Sequence, residues 1–100
     1  MAIYLTARFH VRPQAVKECK QAIKELVEYT EKHEPGTLLY LAQQEILNPR
    51  IFHNTIIFES NAAMLLHQNS KAADRFVSTV YPQTIEPVEF KEHNLVALKQ

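Results

Sequence analysis

Hydrophobic and polar residues alternate along several segments of the chain in the pattern of β-strands. Apolar side chains occupy every second position from Ile3 to Val11, the period of a strand with one buried face. Pro13 ends this segment, and Asn48-Pro49-Arg50 is a turn signal between two later apolar segments, which are therefore expected to form a hairpin. The strands predicted in this way are residues 3–11, 37–46, 51–59 and 88–98.

The apolar period changes to that of helices between these strands. A first helix is expected from Pro13 to near His33, because Pro35 and Gly36 favour a helix end there. Its inner face is predicted to carry Val16, Cys19, Ile23, Leu26, Val27 and Thr30.

A second helical region is predicted to be broken in two. Ser60 or Asn61 is expected to cap a short helix that runs to residue 68, and Ser70 is expected to cap another over 71–80. The side chains expected to face inward are Ala63, Met64 and Leu66 in the first piece and Phe76 and Val80 in the second.

The order of predicted elements is β-α-β-β-α-β. This order is typical of the α+β class with a ferredoxin-like split βαβ arrangement, in which one antiparallel sheet carries helices on one side. One hundred residues suffice for a single domain over residues 1–100.

The predicted sheet has apolar residues on both faces. In the second strand Leu39 and Leu41 alternate with Tyr40, and in the third Ile56 alternates with Ile57. Strands that are apolar on both faces are usually buried on both faces. Because helices cover only one face, we expect the open face to pair with a second copy of the chain in a homodimer.

Composition and charge narrow the classes of partner. The chain has 11 Lys and Arg against 11 Asp and Glu, so no basic surplus favours nucleic acid. No apolar run reaches the roughly 18 residues of a membrane span, and Arg8 interrupts the N-terminal apolar positions before a signal peptide could form. A single cysteine, Cys19, fits a reducing compartment. These observations predict a cytoplasmic protein that binds neither nucleic acid nor membrane.

Few residues offer recognisable chemistry. The five histidines show no close helical spacing of a zinc motif, and one cysteine is too few for a structural zinc site, so no metal is expected. Because Gly36 is the one glycine, neither a phosphate-binding loop nor a Rossmann dinucleotide turn is possible, so flavin or nicotinamide bound in that manner is not expected either. Cys19 lies on the apolar helix stripe and is predicted to be an inert, buried thiol. His67 ends the first short helix, where it either interacts with the last carbonyls or lies at a pocket and transfers a proton.

Three stretches of the chain resemble a known family. They are Arg12-Pro13 after the first strand, the segment His33-Glu34-Pro35-Gly36-Thr37-Leu38-Leu39-Tyr40, and Phe58-Glu59-Ser60 followed by His67-Gln68-Asn69-Ser70. Together they resemble the antibiotic biosynthesis monooxygenase (ABM) domain family. The resemblance implies a dimeric α+β barrel with a small apolar pocket between sheet and helices. Some members oxidise polycyclic phenols or quinols with O₂ and without metal or flavin, some degrade haem, and one branch isomerises a phosphorylated sugar.

The chain departs from the family at defined positions. Phe58 stands where the family commonly has a tryptophan, and Ala72 replaces a second histidine. The residues of the haem-degrading branch, Asn, Trp and His, correspond to Ala7, His67 and Val77 here, so haem degradation is not expected.

The resemblance implies a cofactor-independent monooxygenase that acts on a small aromatic, phenol or quinol-type compound. His67 is then the proton acceptor or orienting group, and the expected lining residues are Phe9, Tyr40, Phe58 and Met64. Two alternatives stay open: a dimer that binds a small molecule without catalysis, and an isomerase on the same fold in which His67 moves a proton.

Overall fold

A computed structural model describes residues 1–100 as one antiparallel sheet with three helices on one face. The strands are β1 (Ile3–His10), β2 (Thr37–Gln44), β3 (Ile51–Phe58) and β4 (Glu89–His93), in the order β2-β3-β1-β4. The helices are α1 (Val16–His33), α2 (Asn61–Gln68) and α3 (Lys71–Val80). This confirms the α+β class and the predicted β-α-β-β-α-β order with a divided second helix. None of the helices combines the length and apolar composition that a membrane span requires.

The core lies between the sheet and helices α1 and α3. The ring of Phe9 stacks on Phe52 with centroids 5.3 Å apart, and Phe76 of α3 meets Phe9 edge-on at 6.0 Å. Such aromatic pairs stabilise the fold beyond what the burial of their apolar surface contributes. The helix stripe predicted for α1 is confirmed, with Val16 and Val27 half-buried and the deeper positions fully buried: Cys19, Ile23, Leu26 and Thr30.

Serine caps divide the second helical region as predicted. The Ser60 hydroxyl accepts a hydrogen bond from the Ala63 N–H at 3.1 Å, and the Ser70 hydroxyl accepts one from the Ala73 N–H at 3.0 Å. The expectation that Leu66 faces inward is wrong, since Leu66 is 60% exposed. Helix α2 turns His67 inward instead, one residue further along.

Strand β4 is shorter than predicted. It covers Glu89–His93, whereas residues 88–98 were expected. His93 pairs with Tyr4, and β1 begins one residue earlier, at Ile3. Because the two strands are antiparallel, residues after His93 have almost no β1 residues left to pair with. A strand at the edge of a sheet ends where its ladder of hydrogen bonds ends.

The face of the sheet opposite the helices is apolar over only part of its area. Leu39 pairs with Ile57 and Ile57 with Tyr4, and Leu41 lies on the same face, so these four side chains form the open-face patch. On the other half, the Arg8 guanidinium donates a hydrogen bond to Glu86 at 2.9 Å. This contact holds the pKa of Glu86 below its ordinary value, so the charged half of the face is suited to water.

Candidate functional site

A cavity of about 210 Å³ lies between the sheet and the helices. All four strands contribute to its walls, together with all three helices. Twelve of its fifteen lining residues are hydrophobic, so a ligand inside would be surrounded mainly by apolar surface. The lining residues are Leu5, Ala7, Phe9, Leu26, Tyr40, Asn54, Ile56, His67, Gln68, Ala73, Phe76, Val77, Tyr81, Val88 and Phe90.

His67 lines this cavity, and behind it lies a carboxylate, Glu34, that the sequence analysis did not single out. The Nδ1 atom of His67 lies 2.6 Å from Oε1 of Glu34, and the two side chains are only 8% and 4% exposed. The other ring nitrogen, Nε2, has no hydrogen-bond partner within the protein. An imidazole held by a carboxylate at one nitrogen and free at the other is suited to accept or deliver a proton.

The chain brings Glu34 and His67 together from distant positions. Glu34 follows the last residue of α1, and its N–H donates to the Thr30 carbonyl at 2.9 Å. Pro35 then prevents the helix from continuing. Gly36 lets α2 approach, because a Cβ at this position would lie 2.8 Å from that of Ala63. Helix α2 therefore packs directly on the start of β2 and holds His67 over Glu34.

Two further polar side chains meet beside His67. The Tyr40 ring lies edge-on to the His67 ring at 5.8 Å, and Nδ2 of Asn54 donates a hydrogen bond to the Tyr40 hydroxyl at 3.2 Å. Burial raises the pKa of Tyr40 well above its ordinary value, with a smaller effect of nearby Tyr81 and Glu34. The Tyr40 phenol therefore keeps its proton, and it can donate a hydrogen bond but cannot serve as the base.

No lysine or arginine lines the cavity. The Glu34 carboxylate contacts His67. Burial raises the pKa of Tyr81, so the Tyr81 phenol also stays neutral. An anionic ligand would find no cation to pair with, while desolvation of its charge would be costly. The site is therefore suited to a neutral ligand with one or two polar groups.

The structure brings together three of the five residues that were predicted for the site. Phe9, Tyr40 and His67 line the cavity, whereas Phe58 and Met64 do not. Phe58 is completely buried and packs against His67 with ring centroids 5.4 Å apart, so it supports the imidazole from outside the cavity. Met64 is half-buried on α2 and does not reach the cavity.

Sequence reasoning missed Glu34 and Asn54. Asn54 is a buried amide within the inward row of β3, where its neighbours Phe52, Ile56 and Phe58 are apolar. A polar residue in an apolar row is a signal that alternation alone could have found. Glu34 lies in the segment that carried the family resemblance, but nothing in the sequence indicated that it contacts His67.

Positions that differ from the haem-degrading branch lie around the same cavity. Ala7 and Val77 line it together with His67.

Cys19 does not line the cavity, and burial raises the pKa of this thiol to about 11, with a smaller effect of Glu18. A thiol with such a pKa is a poor nucleophile at neutral pH. No three His, Cys, Asp or Glu side chains are grouped so that they could hold a metal ion.

Comparison with solved structures identifies the same fold in other proteins. A protein from Bacteroides thetaiotaomicron, assigned as an antibiotic biosynthesis monooxygenase, has a TM-score of 0.92 at 20% identity over 99% of this chain and 95% of its own. A conserved protein from Methanosarcina mazei has a TM-score of 0.85 at 24% identity, with 93% and 91% covered. A protein from Nitrosomonas europaea with the same assignment as the first has a TM-score of 0.88 at 16% identity, with 95% and 90% covered.

Sequence comparison complements this structural likeness. Curated protein sequences gave no significant match. The family model described as antibiotic biosynthesis monooxygenase matches residues 2–79, a stretch that includes Glu34, Tyr40, Asn54 and His67. The match covers more than three quarters of the chain, and the chain therefore belongs to the antibiotic biosynthesis monooxygenase family.

Proposed function

We propose that this protein is a cofactor-independent monooxygenase that acts on a neutral phenol or quinol of one or two rings. The observation that carries the proposal is His67, whose Nδ1 contacts Glu34 at 2.6 Å while its ring lines an otherwise apolar cavity. Membership of the family supports the reaction type. Aromatic and aliphatic walls suit a flat ligand, and the polar groups around Tyr40 suit its hydroxyl.

The size of the cavity supports a substrate of one or two rings. Its volume of about 210 Å³ exceeds the roughly 150 Å³ of a buried cavity that accepts benzene. It is smaller than the roughly 300 Å³ at which pockets for drug-sized ligands begin. A naphthalene-sized ring system is therefore favoured over three or four fused rings.

In the proposed reaction the base is His67. Since Nδ1 is occupied by Glu34, Nε2 takes the proton of the substrate hydroxyl, and the resulting phenolate is electron-rich enough to react with O₂. A bond forms between a ring carbon and oxygen, and the O–O bond then breaks. One oxygen atom stays in the quinone product, and the other leaves as water with the hydroxyl proton and the hydrogen of the attacked carbon. The aromatic ring as a whole is oxidised by four electrons, three at the attacked carbon and one at the carbon that carries the hydroxyl, and O₂ is reduced by the same four.

The test is oxygen consumption by the purified protein with a series of naphthols, anthrols and hydroquinones. We expect uptake with the one- and two-ring compounds and little with anthrols. Labelled O₂ should place one heavy atom in the quinone. Added catalase should return no oxygen, because spontaneous oxidation of a hydroquinone yields hydrogen peroxide, whereas the proposed reaction yields water.

Other outcomes point to the alternatives. Tight binding of naphthols without oxygen uptake would contradict the proposal and indicate a protein that only binds its ligand. Turnover under strictly anaerobic conditions would also contradict it and indicate an isomerase in which His67 moves a proton. Incorporation of label only in the presence of the intact protein would support the oxygenase.

We also propose that two copies pair through the open face of the sheet. The support is the open-face patch, in which exposed Leu39 and Leu41 adjoin Ile57 and Tyr4 on a surface that no helix covers. Apolar side chains grouped on a sheet face are stabilised by packing against a second sheet. Two copies of the same face are related naturally by a twofold axis.

Leu41→Lys is expected to convert the dimer to monomers at micromolar concentration. The substitution places two ammonium groups near the twofold contact, where desolvation is costly. Sedimentation velocity measures the result directly. The matched control is Leu66→Lys, which makes the same change at an exposed position of α2 away from this face and should leave the dimer intact. A wild-type protein that sediments as a monomer would contradict the proposal.

A further inference from the structure

Strand β2 is an unprotected edge of the sheet. It pairs with β3 on one side and with no strand on the other, because the strand order is β2-β3-β1-β4. It reads TLLYLAQQ, with no charged residue and no proline, and its three leucines are exposed. After a register shift between Thr37 and Leu39, its ladder to β3 is regular as far as Gln44. Proteins usually block such an edge with charges, with proline or with a covering segment, since an open edge pairs readily with another strand.

A groove lies beside this edge. It has a volume of about 290 Å³ and is lined by α1, by the start of β2 and by the residues that join them; we call it the edge groove. Half-buried Val27 and exposed Leu38 give it apolar surface, and Thr30 and Glu31 give it polar surface. Sheet edges recognise an added strand through backbone hydrogen bonds and through pockets for alternate side chains. Strand β2 and the edge groove offer both.

The same chain contains a strand-like segment that has no partner. Residues 94–98 follow the last residue of β4 and take part in no ladder. They read NLVAL, so an extended segment carries apolar side chains on both faces. Leu95, Val96 and Leu98 are all exposed. Strands that are apolar on both faces are usually buried on both faces, which this segment is not within a single copy.

This segment cannot reach β2 of its own copy. A strand added outside β2 would lie four strand spacings from β4, or about 19 Å at about 4.8 Å per spacing. Leu95 and Leu98 follow His93 by two and five residues, which span at most about 7 and 18 Å when fully extended. Pairing of the segment with β2 is therefore possible only between two copies.

We propose that residues 95–98 of one copy add as a strand to the outer edge of β2 in a second copy, with Val96 and Leu98 in the edge groove. This exchange rests on the homodimer proposed above and names the segment that completes it. Neither the segment nor β2 carries a charge that pairing would have to desolvate. Lys99, directly after the segment, is opposite in charge to Glu31 on the groove wall.

The symmetry of a dimer makes this exchange reciprocal. A twofold axis places the segment of each copy on β2 of the other, so both open edges and both unpaired segments are satisfied at once. The edge groove is also lined by Glu34 and Tyr40, which contact His67. The segment of the second copy therefore packs against the residues that surround the candidate base.

The exchange is tested by NMR of an equal mixture of isotope-labelled and unlabelled wild-type protein, recorded so that only contacts between copies appear. We expect contacts from the methyl groups of Val96 and Leu98 to those of Val27 and Leu38. Hydrogen exchange should be slow for the amides of residues 95–98 and for the β2 amides that do not bond to β3. A dimer without these contacts would overturn the exchange and leave the pairing of the open faces intact.

A double variant, Val96→Lys with Leu98→Lys, is expected to weaken the dimer by at least about tenfold, because two ammonium groups would have to enter each edge groove. Sedimentation velocity over a concentration series measures the dissociation constant. The matched control is Leu65→Lys with Leu66→Lys, the same change at two exposed positions of α2 outside the groove, which should stay within about twofold of the wild type. Equal dissociation constants for the two double variants would overturn the proposal.

Two further outcomes bear on the exchange. A wild-type monomer would overturn both the pairing of the open faces and the exchange. Assemblies that grow beyond the dimer with concentration would overturn the exchange alone, because they would show that the edges pair in an open array rather than reciprocally. None of these measurements depends on oxygen uptake, so a failure of the proposed oxygenase leaves their results unchanged.

Discussion

Replacement of His67 by glutamine is expected to lower kcat/KM for oxygen uptake by about 10²–10⁴-fold, the usual contribution of a positioned general base. Glutamine occupies similar space and can donate a hydrogen bond to Glu34, so the local structure should survive. It cannot take up the substrate proton. Initial rates with a responsive naphthol measure the loss, and a thermal melt shows that the fold is intact.

The matched control is His33→Gln, the same change at an exposed histidine at the end of α1. This variant should keep the wild-type rate within about twofold, since a surface substitution usually has little effect. If His67→Gln retains full activity, the base in the proposed reaction must be another group. Equal losses in both variants would instead indicate damage to the fold.

The second large effect is expected for Phe9→Ala. Phe9 is almost completely buried, stacks on Phe52 and meets Phe76 edge-on, so truncation removes its apolar surface and two aromatic contacts. Such substitutions typically lower the free energy of unfolding by about 3–5 kcal/mol. In a domain of this size that corresponds to a fall in Tm of about 12 °C or more. Thermal and urea unfolding of the variant measure both quantities.

Phe90→Ala provides the comparison, because this phenylalanine lines the same cavity but is 55% exposed. Its loss should lower the free energy of unfolding by no more than about 1 kcal/mol. A similar loss in the two variants would show that the cavity wall at β4 is as important to the core as the stack around Phe9. That result would contradict the view that the core lies between the sheet and α1 and α3.

The fold could be predicted from the sequence because its local signals agree. Alternation in β1, the stripe in α1 and the serines before α2 and α3 each predict the element that is present, and their order leaves few topologies. The errors occur where tertiary context decides. Strand β4 stops at His93 because β1 begins at Ile3, a fact of pairing that the local pattern of residues 94–98 does not contain.

The candidate site was predictable only in part. Phe9 and Tyr40 lie on strands whose inward faces alternation can assign, and both line the cavity. His67 also lines it, but this residue was predicted from its place at the helix end and from the family resemblance, because the periodicity of α2 had placed Leu66 inward. Phe58 also faces inward but is covered by neighbouring side chains, and alternation cannot distinguish a wall from the layer behind it. Glu34 contacts a residue 33 positions away, and this pairing depends on the packing of α2 against β2 rather than on any local pattern.

The tight contact between Gly36 and Ala63 has a consequence for which part of the cavity wall is exposed. A Cβ at position 36 would lie 2.8 Å from that of Ala63, so α2 is closely packed on the beginning of β2 beside His67. On the opposite side, Val77 of α3 and Phe90 of β4 both line the cavity and are 39% and 55% exposed. The exposed part of the cavity wall therefore lies between α3 and the edge strand β4, and substitutions of these two side chains would change the width of this opening.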